Sequence, residues 1–139
     1  MAPRAEDVLT VDIREKDELD KMEMVNTKSL VEAGNKFKGS GMPVKCINDV
    51  RKMYKKVVSD ASYAGANHNV LVYRTDEEDG FCDDSEFGAG KRLLSILRQK
   101  NVKNIAVVVS RWYGGRQIGP KRFDMMEKIL FDVLNELKM

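Results

Sequence analysis

The stretch VVVSRWYGGRQIGPKRF, from Val107 to Phe123, joins an apolar run to a glycine turn and then to a second basic cluster. Together with the preceding residues it reads KNIAVVVS over 103–110, which is typical of a strand covered on both faces. Pro120 suits the first turn of a helix, and the apolar residues over 123–137 form one broad helical stripe. This stretch therefore predicts a strand, a tight turn and a long helix.

The rest of the chain alternates in the same way. HNVLVYR (68–74) is rich in β-formers, and GAGKRLLSILRQK (88–100) places leucines on one helical face. A further helix is predicted from residue 50 onwards, with Asn48 or Asp49 as its cap. KFKGSGMPVKC (36–46) reads as extended chain interrupted by a turn. This alternation predicts an α/β (α+β) two-layer sandwich, with helices packed on a small sheet.

Charge divides the chain into two parts. Residues 1–36 hold six Lys/Arg and nine Asp/Glu, a balance of −3, whereas residues 37–139 hold the other eighteen and thirteen, a balance of +5. We therefore expect an acidic leader over 1–36 and one basic domain over 37–139. Within the leader, Leu19, Met22 and Val25 recur at spacings of three after Asp17, which predicts either a short helix or a partly ordered segment.

The cysteines and the apolar runs place further bounds on the protein. Cys46 and Cys82 stand 36 positions apart, which fits reduced thiols better than a disulfide framework or a metal site. The opening MAPRAEDVLT lacks the apolar core of a secretory signal, and no apolar run approaches the roughly 18 residues of a membrane span. We expect a cytoplasmic protein without a membrane contact.

The first candidate site is acidic. Seven of the eleven residues from Asp76 to Glu86 are Asp or Glu, and they precede a glycine-rich helix start. Such carboxylates could bind a divalent cation, act as a general base, or interact with the helix dipole. The last interpretation needs no ligand. The oxygen-ligand spacing of an EF-hand is absent.

The second candidate site is the basic-aromatic stretch. Gly114 and Gly115 permit close backbone approach, while flanking basic and aromatic side chains offer charge for phosphates and rings for bases. The competing interpretation packs Trp112 and Tyr113 under the turn and leaves the basic side chains in water. Neither a Walker motif nor a GxGxxG fingerprint is present. His68, the only histidine, lacks a nucleophile pattern around it, so we expect no catalytic residue and no cofactor.

Three segments in order carry a specific resemblance: AGANHNVLVYR (64–74), DDSEFGAGKRLL (83–94) and NVKNIAVVVSRWYGGRQIGPKRF (101–123). Together they resemble the IMPACT family, also called UPF0029, which includes the bacterial YigZ proteins. The resemblance covers about residues 36–137. It implies a fold related to the second domain of the fifth small-subunit ribosomal protein, with four strands and two helices on one face. Since three helices are predicted, the leader or the C-terminal helix would then be an addition.

The resemblance also implies a function. Eukaryotic IMPACT proteins are non-enzymatic regulators of translation that compete for the ribosome-associated activator of the general-control kinase under amino-acid starvation. Bacterial relatives are suspected nucleic-acid binders. The expected role here is protein binding in that kinase pathway. The alternatives are an RNA- or ribosome-binding module that uses the Arg-Trp-Tyr-Gly-Gly patch, and an unrecognised hydrolase that uses the carboxylate pair.

The chain departs from the family pattern at several positions. Ser85 stands where a glycine is usual, so either a positive φ there strains the serine or the turn has changed. Arg116 and Gln117 replace two apolar residues, and Lys121 replaces a common acid. Residues 1–36 are too few for the RWD domain that precedes the eukaryotic IMPACT domain.

These residues combine into one predicted binding patch beside the acidic loop. Its members are His68, Asp83, Asp84, Glu86, Arg111, Trp112, Tyr113, Gly114, Gly115, Arg116, Lys121 and Arg122.

Overall fold

The computed structural model describes residues 21–139 as a mixed α/β domain with three helices and an open antiparallel sheet. The helices are α1 Ile47–Ser59, α2 Ala89–Gln99 and α3 Lys121–Leu137, and a 3-10 turn spans Ala61–Tyr63. The strands are β1 Val25–Asn26, β2 Leu30–Glu32, β3 Asn35–Pro43, β4 His68–Arg74, β5 Asp79–Cys82 and β6 Ile105–Trp112. The predicted strand over 68–74 and the two helices that follow are confirmed.

The sheet runs in the order β1-β3-β6-β4-β5, and β2 also pairs with β3. All of these pairings are antiparallel. The described residues form six strands rather than the expected four. Three of the six strands, β1, β2 and β5, have only two to four residues each. Such short strands carry too little periodicity to be recognised in a sequence.

Helices cover both faces of the sheet. One face packs against α2 and α3, through residues such as Val107, Leu97 and Ile129. The other packs against α1 and the 3-10 turn, through residues such as Val108 and Met53. The expected two-layer arrangement with helices on one face is therefore wrong. The physical reason lies in β6, where residues 105–109 are all apolar and fully buried, so both faces need a cover.

The Gly-Ser-Gly segment does not form the predicted turn but lies inside the nine-residue strand β3. A Cβ at Gly39 would overlap the side chain of Ile129, and a Cβ at Gly41 would overlap that of Val133. The two glycines therefore let α3 approach the strand closely. Close packing, rather than a turn, explains why glycine occupies these positions inside a strand.

The predicted helix near the N-terminus is not present in its described part. Met22 is irregular and Val25 lies in β1, which pairs with β3. The other two residues of that prediction, Asp17 and Leu19, lie outside the described residues. Position 36 is where the expected leader ends. Strand β3 begins at Asn35, so the sheet includes residues on both sides of that position.

The start of α1 also differs from the prediction. The helix begins at Ile47, so Asn48 and Asp49 lie in its first turn rather than at the cap. The Asp49 carboxylate reaches back to accept a hydrogen bond from the Lys45 backbone N–H at 2.9 Å. None of the helices over residues 21–139 is both long enough and apolar enough to span a membrane.

Candidate functional site

The end of β6 divides the Arg-Trp-Tyr motif between the two faces of the sheet. Successive side chains of a strand point to opposite faces, so Arg111 joins the face covered by α2 and α3. Its register partners there are Phe37 in β3 and His68 in β4. Trp112 pairs with Lys36 and faces the α1 side. A motif that is continuous in the sequence thus supplies two separate clusters.

A buried carboxylate lies at the centre of the first cluster. Glu86 is only 3% exposed, and its Oε1 lies 2.5 Å from the Arg111 Nη1. Its Oε2 accepts a hydrogen bond from Arg122 Nε at 3.1 Å. His68 Nε2 lies 3.5 Å from Oε1. We call Glu86, Arg111, Arg122 and His68 the buried ion network. Such charge-assisted contacts are among the strong hydrogen bonds of a protein.

Arg111 is held on several sides. Its Nη2 donates to Asn35 Oδ1 at 3.0 Å, and its guanidinium carbon lies 5.6 Å and 5.7 Å from the ring centroids of Phe37 and Tyr113. The side-chain amide of Asn35 also donates to the Arg116 carbonyl at 2.8 Å. Asn35 therefore ties the ion network to the glycine turn. The sequence analysis missed it, because a single Asn at a strand start gives no local signal of burial.

The acidic loop before α2 is occupied by structural hydrogen bonds. The Asp83 carboxylate accepts from the backbone N–H groups of Gly90 at 2.7 Å and Gly88 at 3.1 Å, which caps the helix. The Asp84 carboxylate accepts from the Asn69 N–H at 2.8 Å. His68 Nδ1 donates to the Asp84 carbonyl at 2.8 Å, since a carbonyl oxygen only accepts. Of the alternatives considered for the acidic stretch, these contacts favour the structural one.

The backbone of this loop is left-handed at two consecutive residues. Asp84 has φ 48° and Ser85 has φ 70°. Only glycine adopts this region without a steric cost from its Cβ. Ser85 therefore has the positive φ that the sequence analysis considered for this position, directly before Glu86.

The glycine turn packs against a second turn, between β2 and β3. A Cβ at Gly114 would come within 2.6 Å of the Gly34 carbonyl oxygen. Gly115 has φ 68°, and a Cβ there would overlap the Ala33 carbonyl. The Arg116 N–H donates to that Ala33 carbonyl at 3.1 Å. Close approach therefore occurs, as predicted, but between two backbone segments of the chain itself.

Trp112 does not join the predicted patch. Its indole Nε1 donates to the Ala64 carbonyl at 3.0 Å, and its ring stacks on Tyr63 with centroids 6.2 Å apart. Lys36 Nζ lies 4.2 Å from the indole centroid. We call Trp112, Tyr63 and Lys36 the aromatic cluster. Burial raises the pKa of Tyr63 to about 12, although a hydrogen bond with Ser40 opposes the shift.

The remaining basic residues of the predicted patch lie nearer the surface. Lys121 Nζ pairs with Glu32 Oε1 at 2.7 Å. The same hydrogen bond and charge lower the pKa of Glu32 and raise that of Lys121. Arg116 is exposed. The structure thus brings together His68, Glu86, Arg111 and Arg122, with Tyr113 beside them, and it separates Trp112 from them.

Two exposed aromatic side chains border the buried ion network. Phe87 follows Glu86 directly and is 80% exposed, and Tyr113 is 49% exposed. The sequence analysis included Tyr113 but not Phe87. No group of three or more His, Cys, Asp or Glu side chains within residues 21–139 is arranged to hold a metal ion.

Comparison with known protein families identifies the family to which this chain belongs. The family model described as the Impact N-terminal domain matches residues 33–134. The chain belongs to the IMPACT family. It is 41% identical over 106 residues to Protein IMPACT of Rattus norvegicus and 39% identical to that of Homo sapiens. These matches cover 72% of the chain but only 33% of each relative, so the chain spans about a third of their length.

Other relatives are more distant. The Protein IMPACT homolog of Caenorhabditis elegans is 29% identical over 128 residues, which cover 86% of this chain and 50% of that protein. A solved structure described as a hypothetical protein has a TM-score of 0.69 at 22% identity, covering 83% of this chain and 62% of its own. The two-domain translational regulator Yih1 has a TM-score of 0.54 at 22% identity, covering 98% and 52%. These two structures establish the likeness of fold.

Proposed function

We propose that this domain regulates translation by binding a protein partner in the general-control, amino-acid starvation kinase pathway. The partner we infer is the ribosome-associated activator of that kinase, for which the domain would compete in the cytoplasm. The observation that carries this proposal is the family match over residues 33–134. The likeness in fold to a translational regulator agrees with it. We further infer that the fold is related to that of the second domain of the fifth small-subunit ribosomal protein.

The surface around the buried ion network supports a binding role. Phe87 and Tyr113 expose large aromatic area, and the basic side chain of Arg116 is exposed as well. Aromatic residues and arginine are enriched in protein interfaces, and a few such residues usually carry most of the binding energy. The backbone strain at Ser85 lies two residues before Phe87 in the chain, and such strain clusters at functional sites.

A non-catalytic mode of action is part of the proposal. The carboxylates of Asp83, Asp84 and Glu86 each accept hydrogen bonds from backbone or arginine donors, which leaves them engaged in the fold. A general base must reach a substrate proton, so acids used in this way support binding rather than hydrolysis.

The test is capture of the ribosome-associated activator by the full chain and by Phe87→Ala. We expect the variant to weaken capture by about tenfold, corresponding to the loss of a hot-spot aromatic. Phe131→Ala is the matched control, because Phe131 is also an exposed phenylalanine, 38% exposed, but lies on α3 beneath Lys100. Failure of the unmodified chain to capture the activator, or equal losses in both variants, would contradict the proposal.

RNA binding is the second candidate, and one observation favours it. Lys36 and Lys38 lie over the rings of Trp112 and Tyr63, at 4.2 Å and 4.7 Å, so the α1 side carries a basic-aromatic row. These rings already contact lysines and each other, which leaves less free stacking surface for bases. A Trp112 fluorescence titration with short single-stranded RNA at two salt concentrations tests it. Saturable quenching that weakens steeply with salt would promote this candidate.

A further inference from the structure

A cleft of about 230 Å³ opens between the end of β6 and the start of α3. It is lined by Arg111, Tyr113, Gln117, Ile118, Gly119 and Arg122. Its lining residues therefore include two arginines, one tyrosine and one isoleucine. Its size suits a single side chain better than a nucleotide.

The charges at this cleft do not balance. Arg111 and Arg122 share the single carboxylate of Glu86, which leaves one positive charge in excess. His68 also faces Glu86 and adds no negative charge. Of the other bases nearby, Lys121 is paired with Glu32 at the surface, and Arg116 is exposed to solvent. A partly desolvated site with one excess positive charge favours a monoanion.

A buried donor is also left without an acceptor. The Nε atom of Arg111 is buried, and it has no hydrogen-bond partner among residues 21–139. The whole residue is 6% exposed, and it also lines the cleft. Buried polar groups without partners are rare in native proteins, and each needs an explanation such as a bound group. The charge excess indicates an oxyanion, and the unpartnered Nε belongs to a residue that lines the same cleft.

We propose that the cleft binds one carboxylate, the side chain of a Glu or Asp on a protein partner. Arginine binds carboxylates through parallel N–H donors, and Arg111 and Arg122 bring two guanidinium groups to the same cleft. Tyr113 and Ile118 provide apolar contact for the methylene groups next to that carboxylate. The carboxylate follows from the cleft itself, and the inference rests on the proposed function only for the statement that a protein carries it.

The experiment is a nuclear magnetic resonance titration of the full, isotope-labelled chain, observing the arginine Nε–H signals. The probe is a blocked Gly-Glu-Gly peptide, and its Gln counterpart is the neutral control. We expect a saturable shift of the Arg111 Nε–H signal in the millimolar range with the Glu peptide and none with the Gln peptide. Equal responses to the two peptides, or no response, would overturn the proposal.

Two further arms identify the source of the anion. Inorganic phosphate and a short single-stranded RNA are titrated under the same conditions. We expect the peptide carboxylate to produce the larger shift at equal concentration, because the cleft has one excess positive charge. A stronger response to RNA would assign the cleft to a nucleic acid and overturn the proposal.

A variant tests the location without removing an arginine from the buried ion network. Gln117→Glu is isosteric and places a carboxylate at the cleft, so it should compete with the peptide and weaken the response by about tenfold or more. Gln99→Glu makes the same charge change at the exposed end of α2 and should keep the full response. Equal affinity in both variants would place the peptide elsewhere.

These results remain separable from those on the proposed function. A normal peptide response without capture of the kinase activator would refute that partner but retain the carboxylate site. The opposite result is also informative. If Gln117→Glu loses the peptide response but captures the activator as strongly as the unmodified chain, the partner does not use the cleft. That result would overturn the assignment of the cleft to a partner carboxylate.

Discussion

At the end of β6, the two faces of the sheet hold their side chains in place with different kinds of contact. On one face, the buried ion network holds charged side chains around Glu86 at 3% exposure. On the other face, the aromatic cluster uses a stacked pair, an indole hydrogen bond to the Ala64 carbonyl and the contact of Lys36 with the indole ring. The residues responsible, Arg111 and Trp112, are neighbours in the chain. The comparison teaches that strand alternation, rather than proximity in the sequence, decides which residues form a site.

The difference also has an energetic side. A buried charge is costly to leave unpaired, whereas a neutral group that loses its partner at the surface can turn to water. The ion network should therefore be sensitive to the loss of any charged member. The aromatic cluster should tolerate conservative changes.

The largest expected effect is that of Glu86→Gln. The substitution preserves shape but leaves Arg111 and Arg122 without their shared negative charge, and breaking a buried pair in this way costs about 3–5 kcal/mol of unfolding free energy. Urea denaturation of the full chain measures the loss. The control is Glu127→Gln, whose partner Arg92 is 47% exposed, and which should cost about 0–1 kcal/mol. Similar losses in both variants would remove the contrast between the ion network and the surface.

The next effect belongs to the aromatic face. Trp112→Phe removes the Nε1–H bond to Ala64 while keeping a ring against Tyr63, so we expect a loss of about 1 kcal/mol. Tyr113→Phe is the control, because that side chain is 49% exposed and should change stability by less than about 0.5 kcal/mol. The measurement is again the free energy of unfolding in urea.

Combining the two substitutions tests whether the faces are independent. Residues without shared partners usually have additive effects to within about 0.3–0.5 kcal/mol. The double variant of Glu86→Gln and Trp112→Phe should therefore lose the sum of the two single losses. A larger departure from additivity would mean that β6 couples the ion network to the aromatic cluster.

Much of the fold could be predicted from the sequence, because long periodic segments carry their own signal. The strand over 68–74 followed from its content of β-formers, and the helices α2 and α3 followed mainly from apolar spacing. The Gly-Ser-Gly segment of β3 was mistaken for a turn, since nothing local reveals that α3 lies directly over Gly39 and Gly41. The glycines were read for their conformational freedom, whereas packing explains them.

The candidate site could be predicted only in part. The acidic loop and the Arg-Trp-Tyr stretch were identified as neighbours, and Glu86 does meet Arg111. The position of Trp112 on the other face depends on where β6 ends, and the strand runs two residues beyond the predicted apolar run. The role of Asn35 depends on a contact across 76 positions, which no local pattern encodes.

A further prediction concerns the loop that carries Glu86. Ser85→Gly removes the steric cost of φ 70° and should stabilise the protein by up to about 1 kcal/mol. Ser95→Gly is the matched control. Ser95 lies exposed inside α2, where glycine should instead destabilise by about 0.5–1 kcal/mol. Thermal unfolding of both variants checks the opposite signs, and destabilisation by Ser85→Gly would mean that the serine makes a contribution larger than the strain.

The smallest effect tests the support of the aromatic cluster through pH. The Asp60 carboxylate accepts from the backbone N–H and the hydroxyl of Ser62, at 2.7 Å and 2.8 Å, and so caps the 3-10 turn that carries Tyr63. These bonds, the backbone one first, lower the pKa of Asp60 below its usual 3.8. A lowered folded-state pKa contributes stability above the unfolded pKa, and that stability is lost as pH falls through the folded value.

Asp60→Ala should therefore lower the free energy of unfolding by about 0.5–1 kcal/mol at neutral pH. This is the low end of the range for helix caps, because the site is partly exposed. The cost should shrink as the pH falls below 3.8, since the protonated carboxyl no longer gains from its two donors. Ser62→Ala is the control that keeps the backbone donor and loses the hydroxyl, so it should retain most of the pH dependence. Urea unfolding at a series of pH values measures both. A loss in Asp60→Ala that stays constant with pH would mean that the aspartate acts by shape alone, and that the aromatic face owes no stability to charge.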